Sequence, residues 1–202
     1  MKGLRVLLAE DESAVAASLA AQLEALGHRV VGEAGTGEEA VRLAMAARPD
    51  VVVMDIKMPD GDGIEAARRI AEQSPVPVVF LSGHFDEGLL AGVAESGGLA
   101  YLLKPATADQ LQAALGLARQ RFGEMKALRE QVSRLGEALE ARKLVARAKG
   151  LLMQRHGLSE EEAHRRMQKE ASRTNRRLVD LARAVLAAGT FVGELDRDAG
   201  GR

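Results

Sequence analysis

The chain has no cysteine and no tryptophan. Without cysteine there is no disulfide framework, no thiolate metal site and no thiol nucleophile. Aromatics are scarce too: Phe80, Phe85, Tyr101, Phe122 and Phe191 are the full set. Alanine, leucine and valine must therefore fill the core, which suits parallel strands packed by alanine-rich helices. Long apolar runs are also missing. Val6-Leu7-Leu8-Ala9 is far too short to span a bilayer and runs straight into Glu10-Asp11. No signal peptide or membrane helix is visible, and a soluble cytoplasmic protein is expected. The 202 residues leave room for one large domain or two small ones.

The net charge of −1 hides a strong asymmetry. Residues 1–118 hold 9 Lys/Arg against 17 Asp/Glu, whereas residues 142–188 hold 12 against 5. The acidic half and the short basic segment predict different partners, with a polyanion for the second only.

Short β-branched runs recur in the first half: Arg5–Ala9, Arg29–Val31, Val51–Met54, Val76–Leu81 and a weaker Ala100–Leu103. Alanine-rich helical patterns over 13–26, 37–47, 63–73 and a glycine-interrupted 86–96 separate them. This alternation predicts an α/β domain with a doubly wound, five-stranded parallel sheet. From Thr107, with Gln110 three residues on, the pattern becomes helical and meets no Gly-Pro break until Gly157. Leu111, Leu115, Ala118, Phe122 and Met125 step by four and three. After a short step, Leu128, Val132, Leu135 and Leu139 continue as a coiled-coil seam. Ser159 with Glu162 predicts a cap for a second helix, Thr174 or Asn175 for a third, and Gly189 its end. The divisions read as a sheet domain over 1–118, a coiled-coil linker over 119–138, a small all-α three-helix domain over 139–190 and a disordered tail over 191–202.

In an open parallel sheet, ligands bind at the carboxyl ends of the strands. Glu10-Asp11, Asp55, Ser82 and Lys104 all fall there. Three converging carboxylates repel one another and call for a hard divalent cation, and Mg²⁺ suits them. A metal beside Asp55 would screen an incoming phosphoryl group and let that carboxylate act as nucleophile. Taken singly, the Asp reads as a helix cap, Ser82 as a turn residue and Lys104 as a solvated charge. Their joint placement at strand ends, with Lys104-Pro105 following, favours the site.

At Glu10-Asp11, Asp55, Met58-Pro59-Asp60-Gly61-Asp62-Gly63-Ile64-Glu65, Ser82-Gly83, Tyr101 and Lys104-Pro105 the chain resembles the receiver domain of two-component response regulators, a flavodoxin-like fold. The resemblance covers about residues 4–118. It implies that Asp55 accepts phosphate from a sensor histidine kinase. It also implies that Glu10, Asp11, Asp55 and the carbonyl of Lys57 hold Mg²⁺, that Ser82 and Tyr101 form a switch pair, and that Lys104 binds the phosphoryl group. Glu stands at 10 in place of Asp, Ser at 82 in place of the commoner Thr, and Gly at 83 where Ala is frequent.

On a helical wheel Leu144, Val145, Ala148, Leu151 and Leu152 fall in one arc, and Arg142, Lys143, Arg147 and Lys149 on the other side. Arg176, Arg177 and Arg183 lie off the apolar arc of the third helix. Gly150 weakens its helix and needs a reason. With Ala146 it forms a small-residue pair that serves either close approach of a nucleic acid or close approach of a second helix in a dimer.

The run Leu139-Glu140-Ala141-Arg142-Lys143-Leu144-Val145-Ala146-Arg147-Ala148-Lys149-Gly150-Leu151-Leu152-Met153, then His156–Ala163 and Asn175–Val179, resembles the ANTAR domain. That family binds paired RNA stem-loops and prevents terminator formation. With the charge segregation on the helices, this resemblance leads to expected RNA contacts at Arg142, Lys143, Arg147, Lys149, Gly150, Arg176 and Arg177. With no aromatic in this segment, stacking on bases falls to Arg planes or His156.

The leading expectation is a phosphorylation-dependent antiterminator that binds RNA stem-loops, forms a homodimer and is not an enzyme beyond slow self-dephosphorylation. A DNA-binding response regulator is the alternative, since three basic helices also build a helix-turn-helix. A phosphoryl-transfer enzyme is less favoured, because no second acid or base is positioned for turnover.

Overall fold

The computed structural model describes residues 3–59, 61–83 and 98–199, with only the backbone described at 61–62 and 189–199. It divides into two compact units, 1–127 and 128–202. The boundary falls at the short step that precedes Leu128.

The first unit is the expected α/β domain. Strands β1 (Arg5–Ala9), β2 (Arg29–Ala34), β3 (Val51–Asp55), β4 (Val78–Ser82) and β5 (Gly98–Leu103) form one parallel sheet in the order β2-β1-β3-β4-β5. The order reverses beside β1, which opens a crevice at the carboxyl ends of β1 and β3. Helices α1 (Ser13–Ala25), α2 (Gly37–Ala47) and α3 (Gly63–Gln73) occupy the predicted ranges within a residue. The helical pattern at 86–96 lies outside the described residues.

Strand alternation explains why both faces are dry. Leu7, Ala9, Val52, Met54, Val78 and Phe80 point to one face, with Ala40, Ala44, Ala67 and Ile70 of α2 and α3. Val6, Leu8, Val51, Val53, Val79 and Leu81 point to the other, with Leu19 and Leu23 of α1 and Leu111 and Leu115. The small alanines let helices approach the sheet in a core with few aromatics.

Helix α4 runs unbroken from Ala108 to His156, 49 residues. Its start is the predicted capping box: Gln110 N–H donates to Thr107 Oγ1 and Thr107 N–H to Gln110 Oε1. Its end is Gly157, whose φ of 62° suits glycine.

In the second unit, α5 (Glu160–Arg173) begins at a complete capping box between Ser159 and Glu162. Ala148, Met167 and Ala182 form the core, with Leu144, Val145, Leu152, Leu178, Leu181 and Val185 packed around them. The third helix departs from expectation at both ends. Thr174 closes α5, its N–H donating to Glu170 O, and Asn175 takes a left-handed φ of 52°. Neither caps α6 (Leu178–Ala199). Asp180 and Leu181 N–H groups donate to Arg177 O, so the helix starts there. It also runs through Gly189, because one interior glycine costs only about 1 kcal/mol and no proline follows it. The tail expected to be disordered over 191–202 is thus helical to Ala199, and 200–202 lie outside the described residues.

Candidate functional site

The ladder of the parallel sheet is extended by one step at each strand end, and this assembles the crevice. Glu10 N–H donates to Ala34 O, Ile56 N–H to Leu81 O and Lys104 N–H to Ser82 O. Those bonds bring Glu10, Asp55, Ser82 and Lys104 to one rim. The first turn of α3 presses against the same rim. A Cβ at Gly63 would collide with the Asp55 carbonyl, so only glycine lets α3 begin there. Asp60, within the motif that leads to it, lies outside the described residues.

Oxygen atoms of Glu10, Asp11 and Asp55 lie within 4.8 Å of one another. Glu10 and Asp55 are buried and Asp11 is exposed, which leaves one open side. Lys104 Nζ donates to Asp55 Oδ2 at 2.5 Å and lies 2.5 Å from Glu10 Oε2. Asp55 Oδ1 accepts the N–H of Lys57 at 3.2 Å. Glu10 Oε2 is buried and accepts no well-aligned hydrogen bond from the described residues.

Burial pushes the Glu10 carboxyl above the ordinary carboxylate range. Lys104 offsets part of that push, and the Asp55 charge adds to it. Burial alone would lower Lys104, but its bonds to Asp55 and Glu10 outweigh this and hold the ammonium above the usual lysine value. The cluster is therefore a charged pocket in which one cation, Lys104, holds two buried carboxylates. Such a hard oxygen donor set fits a divalent cation.

Ser82 is buried at the end of β4. Tyr101 lies on β5 beside Phe80 and packs on the core face formed with α2 and α3. The glycine-rich stretch after Ser82 that the switch reading involves lies, from 84 to 97, outside the described residues.

The basic residues of the second unit divide. Arg142, Lys143, Arg147 and Gly150 are exposed on α4. Lys143 pairs with Glu140 at 2.8 Å. Lys149 departs from the wheel reading: it is held by Glu160 at 2.5 Å and its side chain is only 18% exposed. Its reach is taken up by a neighbouring helix that a single wheel cannot represent. Arg176 and Arg177 are exposed but precede α6 instead of lying on it, and Arg177 pairs with Asp180 at 2.8 Å. Arg142 and Arg147 have no carboxylate partner among the described residues, whereas Arg176 adds to the positive charge around Asp180. A Cβ at Gly150 would meet nothing within 4 Å, so the chain's own packing does not require the glycine.

One residue escaped the sequence reading. His164, not His156, lines a cavity together with Arg142 and Lys149. The signal was its position two residues after the Glu162 cap, on the side of α5 facing α4.

Residues 6–116 match the response regulator receiver domain, and residues 133–186 the ANTAR domain. The second match begins inside the stretch read as linker. The chain is 44% identical over 182 residues to the transcriptional regulatory protein PdtaR of Mycobacterium tuberculosis, covering 90% of this chain and 89% of that one. It is 41% identical over 114 residues to the transcriptional regulatory protein LiaR of Bacillus subtilis, covering 55% and 54%. Among solved structures, the signal receiver domain of a modulated diguanylate cyclase from Desulfovibrio desulfuricans G20 superposes with a TM-score of 0.57 at 34% identity, covering 61% of this chain and 99% of that one. The sheet order, the acidic crevice and these matches together place the chain in the two-component response regulators that join a receiver domain to an ANTAR domain.

Proposed function

We infer that the chain is a phosphorylation-controlled response regulator that acts as a transcription antiterminator by binding RNA stem-loops. The observation that carries this reading is Asp55, buried at the sheet rim between Lys104 and two further carboxylates, in a chain whose other unit exposes unpaired arginines. Asp55 Oδ attacks the phosphorus of a phosphohistidine on a sensor kinase. The P–N bond breaks, an acyl phosphate forms and the imidazole takes a proton. Glu10, Asp11, Asp55 and the Lys57 carbonyl would hold Mg²⁺, which would supply positive charge to neutralise the phosphoryl oxygens. Lys104, already on Asp55, transfers its contact to a phosphoryl oxygen. A groove of about 480 Å³ between α1 and the Lys104-Pro105 turn gives a kinase helix a place to dock.

The phosphoryl group adds about −1.5 to −2 charge. Ser82 moves toward it and Tyr101 fills the space released. The exposed face near Leu103 and Leu117 then pairs two receivers. Leu128, Val132, Leu135 and Leu139, between 54% and 64% exposed on one side of α4, form the seam of a coiled coil with a second copy. Two basic units then meet paired stem-loops. The receiver and ANTAR pairing is that of a regulator, with slow hydrolysis of its own acyl phosphate as its only reaction. No helix among the described residues is long and apolar enough to cross a membrane. A regulator that acts on nascent transcripts works in the cytoplasm.

The test is parallel binding of labelled stem-loop RNA and duplex DNA, with and without acetyl phosphate and Mg²⁺. RNA binding that strengthens on phosphorylation supports the reading, and preference for duplex DNA overturns it.

A further inference from the structure

The second unit contains a cavity of about 470 Å³ whose apolar walls include Val145, Ala146 and Leu178 and whose polar groups are Arg142, Lys149 and His164. Its size lies in the range of small-ligand sites. Lys149 is occupied by Glu160, so among the described residues Arg142 is the cation at the cavity without a carboxylate partner. The imidazole of His164 makes no hydrogen bond to any described residue, and its Nδ1 is shielded from solvent without a partner. A buried polar atom in that state is costly and rare. With no hydrogen bond pinning the ring, rotation about its soft, two-fold χ2 torsion can carry a ring nitrogen into the cavity.

We propose that this cavity receives one unpaired base from the loop of an RNA hairpin. The base lies against His164 and between the Val145, Ala146 and Leu178 walls, its edge bonds an imidazole nitrogen, and its flanking phosphate rests on Arg142. Sequence-specific RNA recognition takes splayed loop bases onto flat side chains, and histidine and arginine serve where other aromatics are lacking. His164 and His156 are the only aromatic rings between residues 128 and 188, and of the two His164 lines the cavity. This assignment rests on the RNA-binding reading and gives it a means of choosing sequence, which exposed arginines on phosphates do not supply.

The test uses the full chain with Mg²⁺ and acetyl phosphate, and a pool of RNA hairpins with one fixed stem and a randomised loop. A hairpin enriched by the wild type is then remade with an abasic site at each loop position. One abasic position should weaken wild-type binding tenfold or more and should have no further effect on His164→Leu. That variant should bind tenfold more weakly with an unchanged salt slope, since no phosphate contact is lost. Ala146 is exposed, so Ala146→Met narrows the cavity without threatening the fold and should weaken binding while leaving the dimer intact. Wild-type affinity in both variants, with the abasic position still felt, overturns the base site and leaves RNA binding standing. Loss of the dimer in Ala146→Met assigns this face to a second copy and overturns the proposal. Failure to enrich any hairpin overturns the RNA reading and the base site with it.

Discussion

Lys104 Nζ lies as close to Glu10 Oε2 as to Asp55 Oδ2, 2.5 Å from each. One ammonium thus compensates two buried carboxylates. Glu10 is still held above the ordinary carboxylate range by its burial. A raised carboxyl favours the fold while protonated, and that contribution is lost as pH rises through the raised value. In Mg²⁺-free buffer Glu10→Gln should therefore melt higher than wild type at neutral pH. The difference should shrink as pH falls toward and below 4.5, and melting curves across pH 4–8 check it. An unchanging difference would remove Glu10 as the strained group.

Millimolar Mg²⁺ should raise the melting temperature by binding the folded state alone. Asp11→Ala should abolish most of that rise while leaving the metal-free protein little changed, because Asp11 is exposed. Thermal denaturation with and without Mg²⁺ reads both effects.

Acetyl phosphate with Mg²⁺ should add one acid-labile phosphate, and Asp55→Asn should take up none. Intact-mass spectrometry decides this, and equal labelling of the variant would move the acceptor elsewhere.

Arg142→Gln and Arg147→Gln should leave the melting temperature within a degree or so, since exposed charges contribute little to stability. Each should weaken RNA binding and flatten the dependence of log affinity on log salt by about 0.7–0.9. Lys149→Gln should behave differently, because it also releases Glu160. Titrations at several salt concentrations separate the three.

Gly150→Ala should stabilise α4 by up to about 1 kcal/mol, since the added methyl meets nothing in the chain. If the glycine serves RNA, dimerisation is normal and RNA affinity falls. If it serves the seam, sedimentation shows lost association before RNA is added. Leu135→Glu, in the exposed stripe, should break the dimer in either case.

Much of the architecture was legible because it rests on local periodicity. Arg5–Ala9, Val51–Asp55 and Val78–Ser82 are short and largely buried, and their alternation with amphipathic helices is what marks them as buried parallel strands. The caps Thr107 and Ser159 are also local, since each bond spans three residues. The end of α6 was not legible, because a lone glycine is a weak stop and Gly189 did not act as one.

The sequence by itself determined the strand and helix alternation, the strand-end positions of Glu10, Asp55, Ser82 and Lys104, and the basic composition of 142–188. These follow from residue spacing and backbone preference, which act over a few positions. Only the tertiary structure decided that Lys104 spans both Glu10 and Asp55, that Gly63 must be bare to clear the Asp55 carbonyl, that Lys149 is withdrawn into a pair with Glu160, and that His164 lines a cavity with Arg142. Each is a meeting of side chains or backbone from separate elements. Helical or strand period assigns a residue to a face but says nothing of what another element brings against it, and that opposing surface sets burial, charge compensation and the shape of a site.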